Sequence, residues 1–181
     1  MHPAAASAIV TTAATVTTRT SAATDRAYAI CARVLDPELP VLTLADLGVL
    51  RAVEVEADGV VTVTITPTYS GCPALEVMRR DLVDALHAEG FDDVRVQTVL
   101  TPAWTTDWIT TDGQRKLLDH GIAPPLPRQV GEGPVGLALS VRCPQCGSPD
   151  TAELSRFGST PCKALWRCNA CREPFDSVKT L

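Results

Sequence analysis

Behind Thr24-Asp25, a good N-cap followed by an acid, the apolar residues Ala27, Ile30, Cys31 and Val34 recur at helical spacing and stop before Asp36-Pro37. This pattern predicts a first helix. The period then changes to two: Val53 and Val55 alternate with Glu54 and Glu56, and Val61, Val63 and Ile65 alternate with Thr62, Thr64 and Thr66. Asp58-Gly59 between the two runs supplies a tight turn, so the segment predicts a β-hairpin. After Pro67-Thr68-Tyr69-Ser70-Gly71 the helical period returns, with Leu75, Met78, Leu82, Val83 and Leu86 on one face and an end near Gly90. Val94 and Val96 read as a third strand. The order helix, strand, strand, helix, strand predicts an antiparallel hairpin joined by a helical crossover to one more strand, a small two-layer α/β sandwich.

From Leu100 to Ile122 the chain carries Trp104, Trp108 and a short helical stretch, Asp112 to His120, which Gly121 can terminate. The tryptophans serve either to pack this arm onto the sheet or to dock a partner. Pro124, Pro125, Pro127, Gly131, Gly133, Pro134 and Gly136 then form a linker. Residues 1–23 are rich in Ala and Thr with little large apolar content, the composition of a disordered tail. The expected organisation is thus a tail over 1–23, an α/β domain with its Trp-containing arm over 24–122, a linker over 123–138 and a small module over 139–181.

That last module lacks the apolar content for a core of its own, but it holds Cys143-Pro144-Gln145-Cys146 and Cys168-Asn169-Ala170-Cys171. Two CxxC knuckles can place four thiolates around one Zn²⁺, and the 21 residues between them only just exceed the roughly 15–20 usual for such pairs. The alternative of two disulfides suits an oxidising compartment, for which nothing in the sequence speaks. The whole is therefore expected to be an α+β protein, a sandwich followed by a zinc ribbon. A metal closed by four sulfurs keeps no open position for water or substrate, so it braces the module without catalysing.

A chain of 181 residues with 45% hydrophobic and 20% charged residues has room for one ordinary domain and one small one. No apolar run approaches the roughly 20 residues of a membrane span. A net charge of −5 argues against a nucleic-acid phosphate backbone as the main partner, although zinc ribbons often touch nucleic acid. Seven cysteines without an N-terminal hydrophobic signal stretch fit a reducing cytoplasm.

Chemistry outside the ribbon centres on Cys72. Pro73 suits a first helical turn and would place Cys72 at the N-cap, where helix N–H groups converge and a thiol ionises more readily. Gly71 leaves a ligand room to approach the sulfur, and the competing reading is a plain capping residue. Asp36 and Glu38, after the first helix, are either turn formers or companions of that thiol, and Asp46 is similarly ambiguous. Cys31 lies on an apolar stripe and reads as core. Cys162 is a fifth thiol of the ribbon segment, beside Lys163, which would favour its thiolate; it is either spare, reactive or a substitute for one CxxC ligand. There is no GKS/T phosphate loop, no GxGxxG, no HExxH and no Glu-x-x-His pair of a di-iron bundle, and His87 reads as a solvent-side residue. The chain is expected to be non-catalytic by itself.

Asp36-Pro37-Glu38-Leu39, Asp46-Leu47-Gly48 and Thr68-Tyr69-Ser70-Gly71-Cys72-Pro73 together resemble the α/β domain of cytosolic iron–sulfur assembly proteins, over roughly residues 24–100. With Pro102-Ala103-Trp104-Thr105-Thr106-Asp107-Trp108-Ile109, the Gly121 to Pro125 segment and the stretch Cys143 to Phe175, including Phe157 to Ala164, nearly everything after the tail resembles the D-type (PaaD-type) family of bacterial phenylacetyl-CoA epoxidase systems. The resemblance implies a part in aerobic phenylacetate breakdown, where a di-iron oxygenase epoxidises the CoA-activated ring and a flavin/iron–sulfur reductase supplies electrons. It implies an accessory protein that helps mature or deliver metal centres, with Cys72 as the functional thiol, Asp36, Glu38 and Thr68 lining its pocket, and Cys162 as an optional aid. The implied cargo is transient iron or an iron–sulfur cluster, and the implied partners are the oxygenase or reductase subunits and the iron–sulfur assembly machinery. Tyr69 stands where many assembly-domain relatives carry a second Thr. The alternatives are a permanent non-catalytic subunit of the epoxidase and a zinc-ribbon nucleic-acid binder.

Overall fold

The computed structural model describes residues 22–126 and 141–180. The expected tail, apart from its last two residues, and most of the expected linker lie outside the described residues. Helix α1 spans Ala22–Cys31 and strand β1 Leu50–Val55; β2 is Val61–Ile65, α2 is Leu75–Ala88 and β3 is Val94–Thr98. A 3-10 turn at Thr106–Trp108 leads into α3, Thr111–Asp119, and the C-terminal module is built from β4, Thr151–Ser155, β5, Lys163–Cys168, and β6, Pro174–Val178.

The first sheet has the order β1-β2-β3, with β2 antiparallel to β1 and parallel to β3, as the hairpin and helical crossover require. Alternation along β2 buries Val61, Val63 and Ile65 fully and leaves Thr62 and Thr64 half-buried on the opposite face. Helix α1 covers the apolar face with Ala27, Ile30 and Cys31, and α2 with Met78, Leu82 and Leu86. Cys31 is core, as its place on the stripe implied, and burial pushes its thiol up to about 11. His87 is exposed. Thr24 does not cap α1, which already begins at Ala22; its hydroxyl instead accepts the N–H of Val55 at the end of β1, 3.3 Å away.

The connection from α1 to β1, residues 32–49, carries no periodic signal and yet holds much of the core. Leu39, Leu42, Leu44, Leu47 and Val49 are each at most 2% exposed, and full burial of such side chains contributes about 1.5–3 kcal/mol apiece. Two carboxylates shape this loop. Asp36 Oδ1 accepts the N–H groups of Glu38 and Leu39 at 2.9 and 2.8 Å, and Asp46 Oδ2 accepts both the N–H and the hydroxyl of Thr43 at 2.9 Å.

Both tryptophans pack. Trp104 is buried and donates Nε1–H to the Leu47 carbonyl at 2.9 Å. Trp108 lies against Gly48, and its ring is covered by the Arg51 guanidinium at 3.6 Å. A register shift in β1 between Leu50 and Ala52 takes Arg51 out of the ladder and frees it for that contact. Helix α3 is capped by the Thr110 hydroxyl, which accepts from Gly113 N, and sends Lys116 to Asp46 at 2.9 Å.

Burial disfavours the Asp46 carboxylate, but the Lys116 ammonium and the two Thr43 donors outweigh it and hold the group below its usual range. A carboxyl with a depressed folded-state value adds stability that is complete above its unfolded value, about 3.9, and is lost as pH falls through the folded one. Asp46→Asn should therefore lower the urea-unfolding free energy by roughly 1–2 kcal/mol at pH 7. The gap to wild type should close progressively below about pH 4; a gap independent of pH would show that packing, not charge, is what Asp46 supplies.

The C-terminal module is an antiparallel meander, order β4-β5-β6. Its last strand bridges to residue 123, the first of the expected linker. Ala123, 1% exposed, forms a parallel bridge with Ser177, its N–H donating to Asp176 O at 2.9 Å and its carbonyl accepting from Val178 N at 3.0 Å. Ala123 and Val141 share a small core with Cys143, Cys168 and Phe175. On the other side Cys162 and Val178 belong to the same continuous apolar cluster as the α/β sandwich. Proline and glycine content puts the boundary at 123, but hydrogen bonding carries the arm further, into the ribbon sheet.

Candidate metal sites

The two CxxC knuckles come together at one end of the ribbon sheet. Cys143, Cys146, Cys168 and Cys171 have sulfurs all within 4.8 Å of one another, the pairs Cys143/Cys171 and Cys146/Cys168 being 3.7 and 3.6 Å apart. All seven cysteines are free thiols. Metal–sulfur bonds of about 2.3 Å put the sulfurs of a tetrahedron about 3.8 Å apart, so the donor set and its size fit one tetrahedral ion. Each knuckle turns through a left-handed residue just after its second cysteine, Gly147 at φ 74° and Arg172 at φ 68°. The Cys171 N–H donates to Cys168 Sγ at 3.4 Å and lowers that thiol to about 6. Cys162 precedes β5 while Cys168 ends it, roughly 20 Å away at about 3.3 Å per residue. It takes no part in this quartet.

Cys162 lies instead where the ribbon meets the sandwich. The loop from β4 to β5 folds onto Asp176: Gly158 N donates to Lys163 O at 2.8 Å, and Ser159 Oγ donates to Asp176 Oδ2 at 2.9 Å. A Cβ at Gly158 would stand 2.9 Å from Asp176 Oδ1 and 3.2 Å from the Lys163 carbonyl carbon, so a side chain there would push on the Asp176 carboxylate. This fold aims Cys162 Sγ at Glu38 Oε2, 3.6 Å away across 124 residues of sequence, with the Thr160 hydroxyl 3.1 Å from the same sulfur.

Cys72 reaches the same junction from the loop between β2 and α2. Helix α2 starts at Leu75, later than the expected N-cap at Cys72; a single turn, Leu75 N to Cys72 O at 3.3 Å, precedes it. The expectation that this thiol ionises readily is overturned. Burial pushes it up, the N–H groups of Ala74 and Leu75 oppose, and the charges of Glu38 and Asp36 push it up further, the net direction being upward. Cys162 behaves alike, raised to about 11 by burial and then by Glu38 and Asp36 against the Thr160 bond. Lys163 does not rescue it, because its buried ammonium pairs with Asp176 at 3.3 Å and acts on Asp36. Asp36 is raised by burial, against its two turn N–H groups and the charge of Lys163.

Asp36 and Glu38 thus act through their charges on both Cys72 and Cys162, and Cys162 contacts Glu38 directly. Thr68, expected to line the same pocket, is half-buried on the loop leading to Cys72 and, among the described residues, makes no hydrogen bond with these four. Two residues went unnoticed as site members. Tyr69 is raised by burial and then by the charges of Cys72, Glu38 and Cys162, which places its phenol within their electrostatic reach. Lys163 is the buried cation behind the carboxylates. Its place beside Cys162 is the one sequence signal for Lys163, though as a partner of the thiol and not of Asp36; spacing gives none for Tyr69.

With this geometry in hand, known proteins supply the context. A family model for iron–sulfur cluster assembly proteins matches residues 25–98, and one for the PaaD zinc beta ribbon domain matches residues 128–179. A protein of Escherichia coli (strain K12), provisionally named as the D component of 1,2-phenylacetyl-CoA epoxidase, is 46% identical over 154 residues, which cover 85% of this chain and 91% of that protein. The chain belongs to the PaaD family of phenylacetyl-CoA epoxidase components. Within this PaaD architecture the α/β half is also shared more widely: a Porphyromonas gingivalis Fe-S protein maturation auxiliary factor is 35% identical over 85 residues, 46% of this chain and 80% of that one. The crystal structure of a domain of unknown function, DUF59, from Bacillus anthracis covers 53% of the PaaD-family chain and 92% of its own, with TM-score 0.50 and 24% identity, a likeness of fold.

Proposed function

We propose that this chain is an accessory maturation factor of the multicomponent phenylacetyl-CoA ring epoxidase, handling iron or an iron–sulfur cluster through Cys72 on its way to the oxygenase or the reductase. The observation that carries the reading is the half-buried Cys72 thiol within electrostatic reach of the Asp36 and Glu38 carboxylates, inside the segment matched by the assembly family. Such a place suits a ligand held briefly. Without a cation, burial and two negative neighbours keep the thiol protonated; an arriving Fe²⁺ reverses that balance, because its charge satisfies sulfur and carboxylates alike. In the ribbon the resident ion is Zn²⁺, which holds the module in shape, and the ribbon docks the client.

The relatives' names support a role in iron–sulfur protein maturation and in the epoxidase system. The cytoplasm is the compartment that seven free thiols favour. Oxygenase and reductase expressed together with and without this chain provide the test, by iron content and ring-epoxidising activity. Without it, both should fall severalfold in each preparation that depends on delivery, and Cys72→Ser should restore neither. A second reading, a permanent non-catalytic subunit, is favoured by the exposed Phe157 and Leu154 of the ribbon, 75% and 55% accessible. It predicts stoichiometric co-purification with the oxygenase and no effect of Cys72→Ser.

A further inference from the structure

Phe157 is the most exposed large apolar side chain among the described residues, and it is held out in solvent by its own surroundings. The Lys179 ammonium lies 4.7 Å over its ring and donates to the Pro161 carbonyl at 2.7 Å, which ties ring and cation to the loop between β4 and β5. That loop is braced in turn. Phe157 N–H donates to Ser155 Oγ at 3.1 Å, and Gly158 N–H to the Lys163 carbonyl at 2.8 Å. Around this ring the charge of the chain changes sign. Residues 141–181 carry six Lys and Arg against four Asp and Glu, a net +2, while residues 1–140 carry ten against seventeen, a net −7. Lys163 and Asp176 pair with each other, but Arg156 and Lys179, which line one depression of the ribbon together with Trp166, form no ion pair among the described residues.

We propose that the Phe157 ring, with Arg156 and Lys179 beside it, is the anchor by which the ribbon docks its client, and that the client offers an apolar pocket rimmed by carboxylates. The inference rests on the docking role given to the ribbon above and supplies its place and its chemistry. Aromatic rings and arginines are the side chains on which binding energy concentrates in protein interfaces, and a ring fixed before contact loses little freedom on binding. Carboxylates around the client's pocket would meet two cations that have no acid of their own, which steers the encounter and sets its orientation. The acidic remainder of the chain repels the same carboxylates, so the approach is confined to the ribbon. A nucleic-acid strand fits less well. Lys179 already covers one face of the ring, and phosphates extending beyond the patch would meet that acidic remainder.

The test measures, by biolayer interferometry, binding of the full chain carrying its ribbon metal to the purified oxygenase and, separately, to the purified reductase of the epoxidase system. Wild type should bind one of them, more weakly as salt rises from about 50 to about 500 mM. Phe157→Ala should weaken that binding at least about tenfold and Arg156→Glu comparably, with a shallower salt dependence in Arg156→Glu. Leu100→Ala, which shortens another exposed apolar side chain, should bind like wild type, and an equal loss there would reduce the contact to general adhesion and overturn the anchor. Unchanged ribbon metal content in each variant keeps a folding defect apart from a lost contact. Should Phe157→Ala and Arg156→Glu both bind like wild type, the anchor is refuted, while docking by another face and delivery through Cys72 survive. A wild type that binds neither component would sink the anchor and the docking role together, leaving delivery to be judged by the iron assay. Binding of poly(U) RNA in their place, lost in the same two variants, would assign the patch to nucleic acid and overturn the protein partner.

Discussion

Stripping the ion from the four-cysteine site will unfold the C-terminal meander and leave the α/β sandwich standing. The meander's strands are 5, 6 and 5 residues long, and the separate small cluster at its metal end is Ala123, Val141, Cys143, Cys168 and Phe175, with Cys143 and Cys168 among the candidate ligands. So small a core cannot offset the ordering of its loops, whereas a structural zinc site contributes on the order of 10–16 kcal/mol. The sandwich's much larger core runs from Ala27 to Leu117 and takes only Cys162 and Val178 from the module. Chelation, or Cys143→Ser, should therefore abolish amide-exchange protection across β4 to β6 while protection in β2 and α2 persists. Trp166 fluorescence should shift to that of an exposed indole, with Trp104 still buried. Retained protection of β5 after complete metal removal would contradict the metal-dependent fold.

The second large effect is expected at a single methyl group. Gly48 has φ +68°, and a Cβ there would lie 2.6 Å from both the Cβ and the carbonyl oxygen of Trp108. Backbone cannot yield as a flexible side chain can, so Gly48→Ala must displace the whole arm that Trp104 and Trp108 pin to the core. A cost of roughly 3–5 kcal/mol is expected, the sum of left-handed strain and overpacking. Gly59 provides the control: its φ is +91°, but nothing lies within 4 Å of its Cβ position. Gly59→Ala should cost only about 1–2 kcal/mol, the backbone term alone. Urea-unfolding midpoints of the two variants separate space from conformation, and equal losses would show that the Trp108 contact does not matter.

The parts of this molecule that repeat locally were legible before the structure. The Val53-to-Ile65 hairpin, the apolar face of α2 and the CxxC pairs each obey a short-range period or spacing, and each forms as expected. What escaped is long-range. The loop holding Leu39, Leu42 and Leu44 has no period because each leucine points inward from a different turn. Thr24 has the chemistry of a cap, but Val55 claims its hydroxyl from a strand 31 residues away. The acidity of Cys72 was misjudged for the same reason: helix-end N–H groups are a local feature, while the burial and carboxylates that outweigh them come from elsewhere in the chain. Cys162 could be recognised as a surplus thiol, but nothing in its neighbours along the chain indicates Glu38.

Ala123 is locked into the last strand of the ribbon through both its N–H and its carbonyl, only a few residues after Leu117 is buried in the sandwich. An arm gripped at both ends ties the described part of the ribbon to the sandwich as a strut. A substitution that loosened Ala123 would slacken this tie between the modules without touching a single sulfur.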